Sequence, residues 1–264
     1  MRKILVIAAA AVGLAAAALG PARAEQVKVG FSPEAYPPFW SQEASGEWGG
    51  WEVEIINAIC AQEKLDCVLT PIPWAGLIPA LTTKKIDAIM NSMSITEERK
   101  KSIAFSDKYY NTPTAVIGAK DASFDATPEG LKGKVIGVQV STVHAAYAKK
   151  HFTEAAEIKE YQTQDEANQD LAAGRIDATQ ADSIALDAFL KSDEGKACCD
   201  LKGLVAPDDE VLGPGVGAGV RQDDTALRDK INAGIKAIRD NGKYAEITKK
   251  YFDFDVYGAD GQAN

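Results

Sequence analysis

The chain has 264 residues, 46% hydrophobic and 25% charged, with 29 basic against 38 acidic residues and a net charge of -9. An acidic total disfavours nucleic acid and anionic membrane surfaces as partners. The length allows one large domain or two of ordinary size, each with its own core.

At the N-terminus, Arg2 and Lys3 precede an apolar run from Ile4 to Leu19, and Ala22-Arg23-Ala24 forms a small-x-small site before Glu25. This order predicts a secretory signal peptide over residues 1–24 and a mature chain in the periplasm. The run falls short of a bilayer span. Removing those residues takes away Arg2, Lys3 and Arg23 and no acid, so 26 basic residues face 38 acidic ones and the net charge becomes -12.

From Glu25 onward, strand and helix patterns alternate, which predicts α/β architecture. Val27–Phe31 reads as a strand, and Glu52–Ala61 as a helix with Val53, Ile55, Ile56 and Ile59 at helical spacing. Cys67–Thr70 reads as strand, Gly76–Thr83 as helix, Ile86–Met90 as strand and Ala115–Gly118 as strand. A second set follows: strand Lys134–Val138, helix Val143–Lys150, helix Gln164–Ala173, strand Ile176–Thr179 and helix Ser183–Lys191. Gly213–Gly217 reads as a glycine-rich crossing, before helices at about 224–241 and 244–251.

Leu81–Ala88 and Leu171–Ala178 are similar: each is a helix end, a basic turn and a strand entering polar residues. Two related lobes follow from this, each offering loops at the carboxyl ends of its strands, where open α/β sheets bind ligands. In a secreted chain disulfides are permitted. Cys60 ends a helical pattern and Cys67 begins a strand, so a local bridge can staple one to the other. A bridge between neighbouring residues closes a strained ring, so for Cys198 and Cys199 two free thiols and a bridge between them both stay open, with free thiols slightly favoured.

Enzymatic constellations are mostly missing: there is no phosphate loop, serine elbow or metal-ligand spacing. No cofactor, metal or catalytic group is expected. His144 and His151 are read as surface residues of one helix. Binding groups are better represented. Prolines stiffen the loop that carries Tyr36, and Trp74 stands in a second Pro-bounded loop; each is either a wall for a ligand or core packing. Alternation puts Asn91 and Met93 on one face and Ser92 and Ser94 on the other. Thr96 can cap a helix with Arg99 in its first turn. Arg99 is then either an ordinary surface residue or a two-pronged partner for a carboxylate. Ser141 and Thr142 open a helix whose N–H groups favour an anion. Asp182 is either a helix cap or an anion offered to an ammonium group.

Several segments together resemble the amino-acid-binding proteins of ABC importers, solute-binding family 3, in the lysine/arginine/ornithine- and histidine-binding branch. They are Leu77–Leu81, Lys84–Ile89, Ser94-Ile95-Thr96 with Arg99, Ile103–Asp107, Leu171–Arg175 and Lys249–Phe254. The resemblance implies a periplasmic binding protein fold of type II, with two α/β lobes joined by a two-stranded hinge around a cleft. It implies a monomer that passes an amino acid to an inner-membrane permease. Arg99 would grip the α-carboxylate with Ser94 and Thr142, Asp182 the α-ammonium with Ser92, and Tyr36 and Trp74 would sandwich the side chain. A disulfide of this branch sits where Cys60 and Cys67 lie. The resemblance fails at the residue that reads the ligand's distal cation: Pro33 stands where the branch has Asp, and Glu34 is the substitute offered. Asn91 stands where relatives often have Ser. Lobe 1 is expected over 25–110 and 213–264, and lobe 2 over 111–212. An opine-like ligand and a dehydratase-type enzyme on the same fold are the competing readings.

Overall fold

The computed structural model describes residues 25–258. The signal-peptide reading lies outside them. Among the described residues no helix is long and apolar enough to cross a membrane.

The first half of the chain builds β1 (Glu25–Phe31), β2 (Ser41–Gln42), β3 (Trp48–Gly49), α1 (Trp51–Gln62), β4 (Leu65–Pro71), α2 (Leu77–Thr82), β5 (Ala88–Ile89), α3 (Glu97–Lys100) and β6 (Ala104–Tyr110). Next come β7 (Thr114–Ala119), β8 (Val135–Gln139), α4 (Val143–His151), β9 (Glu157–Tyr161), α5 (Gln164–Ala172), β10 (Ala178–Asp182), α6 (Ser183–Lys191), α7 (Asp193–Cys198), β11 (Cys199–Leu204) and α8 (Asp209–Leu212). The chain closes with β12 (Val216–Val220), α9 (Thr225–Asp240) and α10 (Lys243–Thr248).

Two five-stranded sheets result, in the orders β4-β1-β5-β12-β6 and β11-β7-β10-β8-β9. Each has three parallel strands and then an antiparallel turn of direction: β4, β1 and β5 with β12 reversed, β9, β8 and β10 with β7 reversed. The segment similarity explains the match. Asp87 and Asp177 occupy equivalent places, and each ties its strand to the one beside it. The Asp87 carboxylate accepts from Lys28 N–H at 3.0 Å, and that of Asp177 from Val135 N–H at 2.8 Å. Ile86 and Ile176 cover the backbone of Gly30 and Gly137, where a Cβ would lie 2.2 Å and 2.6 Å from their Cδ1 atoms. Glycine at both positions leaves the isoleucine its space, and an added methyl would have to push the end of that side chain aside. The mixed α/β, two-lobed architecture is therefore as the sequence indicated.

Each sheet carries its own core. Beneath the first, Ile55, Ile56 and Ile59 of α1 pack with Ile231, Ile235 and Ile238 of α9. Each such side chain contributes about 1.5–3 kcal/mol of burial. Beneath the second, Ile136, Val138, Tyr147, Ala148 and Phe152 form the corresponding cluster. The chain passes between the sheets twice, through 111–113 and 205–215, and the second passage is pinned where Ile95 N–H meets the Gly215 carbonyl at 2.8 Å.

Cys60 and Cys67 are bridged, stapling α1 to β4. Of the two states left open for Cys198 and Cys199, the less favoured one is found: they too form a disulfide, and no free cysteine remains among the described residues. The objection to such a ring supposes one regular backbone. Here Cys198 ends a helix, Cys199 begins a strand, and Lys120 N–H fixes the Cys198 carbonyl at 2.9 Å. The glycine-rich crossing is also shorter than read, because Val216 and Gly217 already belong to β12.

Candidate functional site

A cavity of about 290 Å³ opens between the two sheets. Its walls come from loops at strand ends and from helix starts. Tyr36 stands in the loop after β1, which is closed by hydrogen bonds between Tyr36 N–H and the Trp40 carbonyl (2.9 Å) and between Trp40 Nε1–H and the Glu34 carbonyl (2.6 Å). The Tyr36 ring lies 5.1 Å from that of Trp40 and 5.9 Å from that of Phe39, so the core fixes its position. Trp74 begins a single turn of 3-10 helix just before α2.

Thr96 caps α3, accepting from Arg99 N–H at 3.2 Å. The cap aims the Arg99 guanidinium into the cavity, 5.5 Å above the Trp74 ring. There Nη1 donates to the Ser94 carbonyl (2.8 Å) and Nη2 to the Ser141 carbonyl (3.1 Å). A guanidinium has five N–H donors, so three remain for a ligand carboxylate. Burial lowers Arg99 to about 10, and it still carries its charge at neutral pH.

On the second sheet, Asp182 ends β10 and caps α6, accepting from Ile184 N–H (2.9 Å), Ala185 N–H (3.3 Å) and the Thr112 hydroxyl. It is thus a cap and a cavity carboxylate at once. Burial pushes its carboxyl up to about 6 although all three donors favour the charged form. Thr142 caps α4, donating to the Gln139 carbonyl (2.7 Å) and accepting from Ala145 N–H (3.0 Å).

Of the sequence candidates, Glu34, Tyr36, Trp74, Asn91, Ser92, Ser94, Arg99, Thr142 and Asp182 all line the cavity. Ser141 does not line it: its side chain is exposed, and it offers its carbonyl to Arg99 instead. Asn91 and Met93 are buried and Ser92 and Ser94 only partly so, but the expected two-faced alternation is not kept: these residues form no regular strand, and Asn91 lines the cavity beside both serines. His144 is corrected. It is no surface residue but part of the cavity wall, its Nδ1 3.1 Å from the Thr114 hydroxyl. Burial and then the Arg99 charge lower it to about 3, so it is neutral. His151 is half-buried and pairs with Asp208 at 2.6 Å.

Sequence reasoning missed Thr112, Gln164, Asp165, Asp208 and Asp209 in the wall, and Glu52 behind it. Asp165 and Gln164 follow the Thr163 capping box, a helix-start signal that matches the one used for Thr142. Carboxylates lining the cavity are Glu34, Asp165, Asp182, Asp208 and Asp209, against the one guanidinium of Arg99. Lys150 pairs with Asp208 at 3.0 Å, and His151 Nε2 lies 2.6 Å from the same carboxylate. Burial, joined by the charge of Glu166, raises Glu34. Four buried side-chain polar atoms lack a partner among the described residues, and three of them belong to the cavity wall: Glu34 Oε2, Trp74 Nε1 and Asn91 Nδ2. A buried polar atom left unpaired costs about 1–3 kcal/mol, so these atoms mark where a ligand would contribute hydrogen bonds. No group of three or more metal-ligating side chains occurs among the described residues.

The family model for bacterial extracellular solute-binding proteins, family 3, matches residues 27–254. The L-arginine-binding protein of Pseudomonas aeruginosa is 46% identical over 235 residues, covering 88% of this chain and 90% of its own. The histidine-binding periplasmic protein of Escherichia coli (strain K12) is 40% identical over 238 residues, covering 89% and 90%. An ancestral arginine-binding protein solved with arginine bound superposes with a TM-score of 0.80 at 30% identity, covering 87% of this chain and 99% of its own.

Proposed function

The chain belongs to the bacterial extracellular solute-binding proteins of family 3, and from that premise we propose that it captures a free amino acid with a cationic side chain in the periplasm and delivers it to an inner-membrane ABC permease. The observation that carries the reading is the placement of opposite charges on opposite walls. Arg99 meets an α-carboxylate with its three remaining donors. Asp182 and the Ser92 oxygen meet the α-ammonium. Tyr36 and Trp74 enclose the side-chain stem, each buried methylene contributing about 0.8 kcal/mol. Glu34, with one buried oxygen unpaired, and Asp165 meet the distal cation. The relatives named for arginine and histidine support a basic ligand.

Arg99 lies on the lobe built from residues 25–110 and 213–264, and Asp182 on the lobe built from 111–212. A zwitterion bridging them favours the closed arrangement over an open one, because its binding energy is realised fully only when both lobes touch it. The passages at 111–113 and 205–215 are the hinge. The chain acts as a monomeric binding protein with no cofactor.

An opine, which keeps the α-carboxylate and carries a secondary amine with a second carboxylate on its substituent, is the second reading; that carboxylate would share Arg99, the one guanidinium among the described residues lining the cavity. A thermal-shift screen of L-arginine, L-lysine, L-ornithine, L-histidine, octopine and spermidine tests the assignment. Stabilisation by at least one basic amino acid and none by spermidine, which lacks a carboxylate, is expected. Stabilisation by spermidine alone would remove the role given to Arg99. Turnover of arogenate or prephenate would instead identify an enzyme.

A further inference from the structure

Ser92 faces the cavity with a left-handed backbone, φ 52°, and one carboxylate behind the wall holds it there. Glu52, on α1, is fully buried. Its Oε1 accepts from Ser92 N–H at 2.8 Å and from the Tyr109 hydroxyl, and its Oε2 accepts from the Ser92 hydroxyl at 2.9 Å. The titratable groups around it are Tyr109 in contact and, within reach of its charge, Tyr36, Tyr110 and Asp182, with Tyr110 also hydrogen-bonded to the Ser92 hydroxyl. None of these is a cation.

A serine hydroxyl has one proton to give and two lone pairs to receive. An ionised Glu52 only accepts, so the Ser92 proton is committed to it; one lone pair of the oxygen receives the Tyr110 hydroxyl and the other is left for the cavity. We propose that Glu52 is a positioning residue that sets the hydrogen-bond polarity of Ser92, making Ser92 an acceptor that selects the α-ammonium of the ligand. The inference rests on the reading that the amino group lies between Ser92 and Asp182. A proton on Glu52 Oε2 would be donated to the Ser92 oxygen, turning the serine hydrogen toward the ligand and reversing the selection. Burial pushes Glu52 up to about 7, which brings the reversal into an accessible pH range.

The test is calorimetry with L-arginine and L-lysine, whose side chains do not titrate between about pH 6 and 8, each beside its des-amino counterpart, δ-guanidinovalerate and 6-aminohexanoate, with L-histidine as a further ligand at pH 8. Discrimination is the ratio of the two Kd values. In the wild type it should fall at least tenfold from pH 8 to pH 6, with one step near 7 and another from Asp182 near 6. In Glu52→Gln the amide N–H donates to the Ser92 oxygen permanently. Discrimination at pH 8 should be at least tenfold lower and the step near 7 should vanish. Tyr109→Phe keeps the ring and removes a donor to the carboxylate, so the step should move to higher pH; this variant also decides the matter if Glu52→Gln does not fold. A purely structural role for Glu52 would lower all affinities together without moving either step. Equal discrimination and an unchanged pH profile in Glu52→Gln, or an unmoved step in Tyr109→Phe, would overturn the proposal alone. Failure of the wild type to bind any of the three amino acids would overturn the reading beneath it and the proposal together.

Discussion

The Arg99 guanidinium donates a hydrogen bond of 3.1 Å to the backbone carbonyl of Ser141, so a side chain from the first sheet's half of the molecule touches the start of α4 on the second. Ser141 adopts φ 62° there, a backbone that directs its carbonyl rather than its side chain to the cleft. Arg99 therefore joins the two halves, and under the proposed function it would hold the ligand carboxylate as well. Replacing Arg99 by Ala should cost about 2–5 kcal/mol of amino-acid affinity, the usual loss when a desolvated charge loses its partner. Replacing it by Lys should recover little, because an ammonium cannot match a carboxylate with two parallel bonds. Calorimetry on the two variants, with circular dichroism to verify folding, measures both effects.

Glu34 carries the expectation for the distal cation. Glu34→Gln keeps size and packing and removes the charge. Affinity for L-arginine or L-lysine should fall about tenfold, equivalent to about 1.4 kcal/mol, while affinity for uncharged L-glutamine should change less than about threefold. Equal losses for charged and uncharged ligands would show that Glu34 only shapes the loop.

Acid pH should stabilise the ligand-free protein and weaken its ligand response. Burial raises Asp182 to about 6 and Glu52 to about 7. The folded chain thus holds protons that the unfolded chain gives up at lower pH. For these groups stability falls as pH rises through the window from their ordinary carboxylate values to about 7. Asp208, held at about 2 chiefly by its bond to His151, acts below that window, whereas His144, lowered to about 3 by burial, contributes stability that grows as pH rises to its ordinary value and offsets part of the trend below about 6.5. Capture of an ammonium needs Asp182 charged, so the ligand-induced rise in Tm should grow over the same range. Scanning calorimetry from pH 5 to 8, with and without L-arginine, should show the two trends in opposite directions. A ligand-induced shift that is constant with pH would contradict the role of Asp182.

The two disulfides should differ in their contribution to stability. Cys60 and Cys67 enclose a loop of 7 residues' separation, and loop closure of that size is worth about 2–3 kcal/mol in the chain-entropy account. Cys198 and Cys199 are neighbours and enclose almost no chain. Denaturant unfolding of Cys60→Ser/Cys67→Ser should show that loss, and of Cys198→Ser/Cys199→Ser much less. Thiol titration of the unreduced, unfolded wild type should find no free cysteine.

Much of this was legible in the residues. The repeat of Leu81–Ala88 in Leu171–Ala178 gave the paired sheets because each copy carries the Ile and Asp that bind its strand to the next. Caps gave Thr96, Thr142 and Asp182, since their short-range geometry is local. What stayed hidden depends on distant chain segments. β9 and β11 lie at sheet edges and lack a clear alternating pattern. Glu52 reads as an ordinary first-turn acid of α1, and only the fold brings Ser92 and Tyr109 to it across 40 and 57 residues. His144 looked like surface because its helix is polar, whereas packing of α4 against the second sheet turns it into the cleft. The fate of Cys198 and Cys199 depended on a change from helix to strand between them.

The most direct test of a cation-reading amino-acid site is calorimetry of the wild type at pH 7.5 with L-arginine and with L-citrulline, which keeps the α-carboxylate, the α-ammonium and the length of arginine but has an uncharged end. One-to-one binding of L-arginine, at least tenfold tighter than that of L-citrulline, is the expected result. Equal affinities, or heat with neither ligand nor with L-lysine or L-histidine, would contradict it.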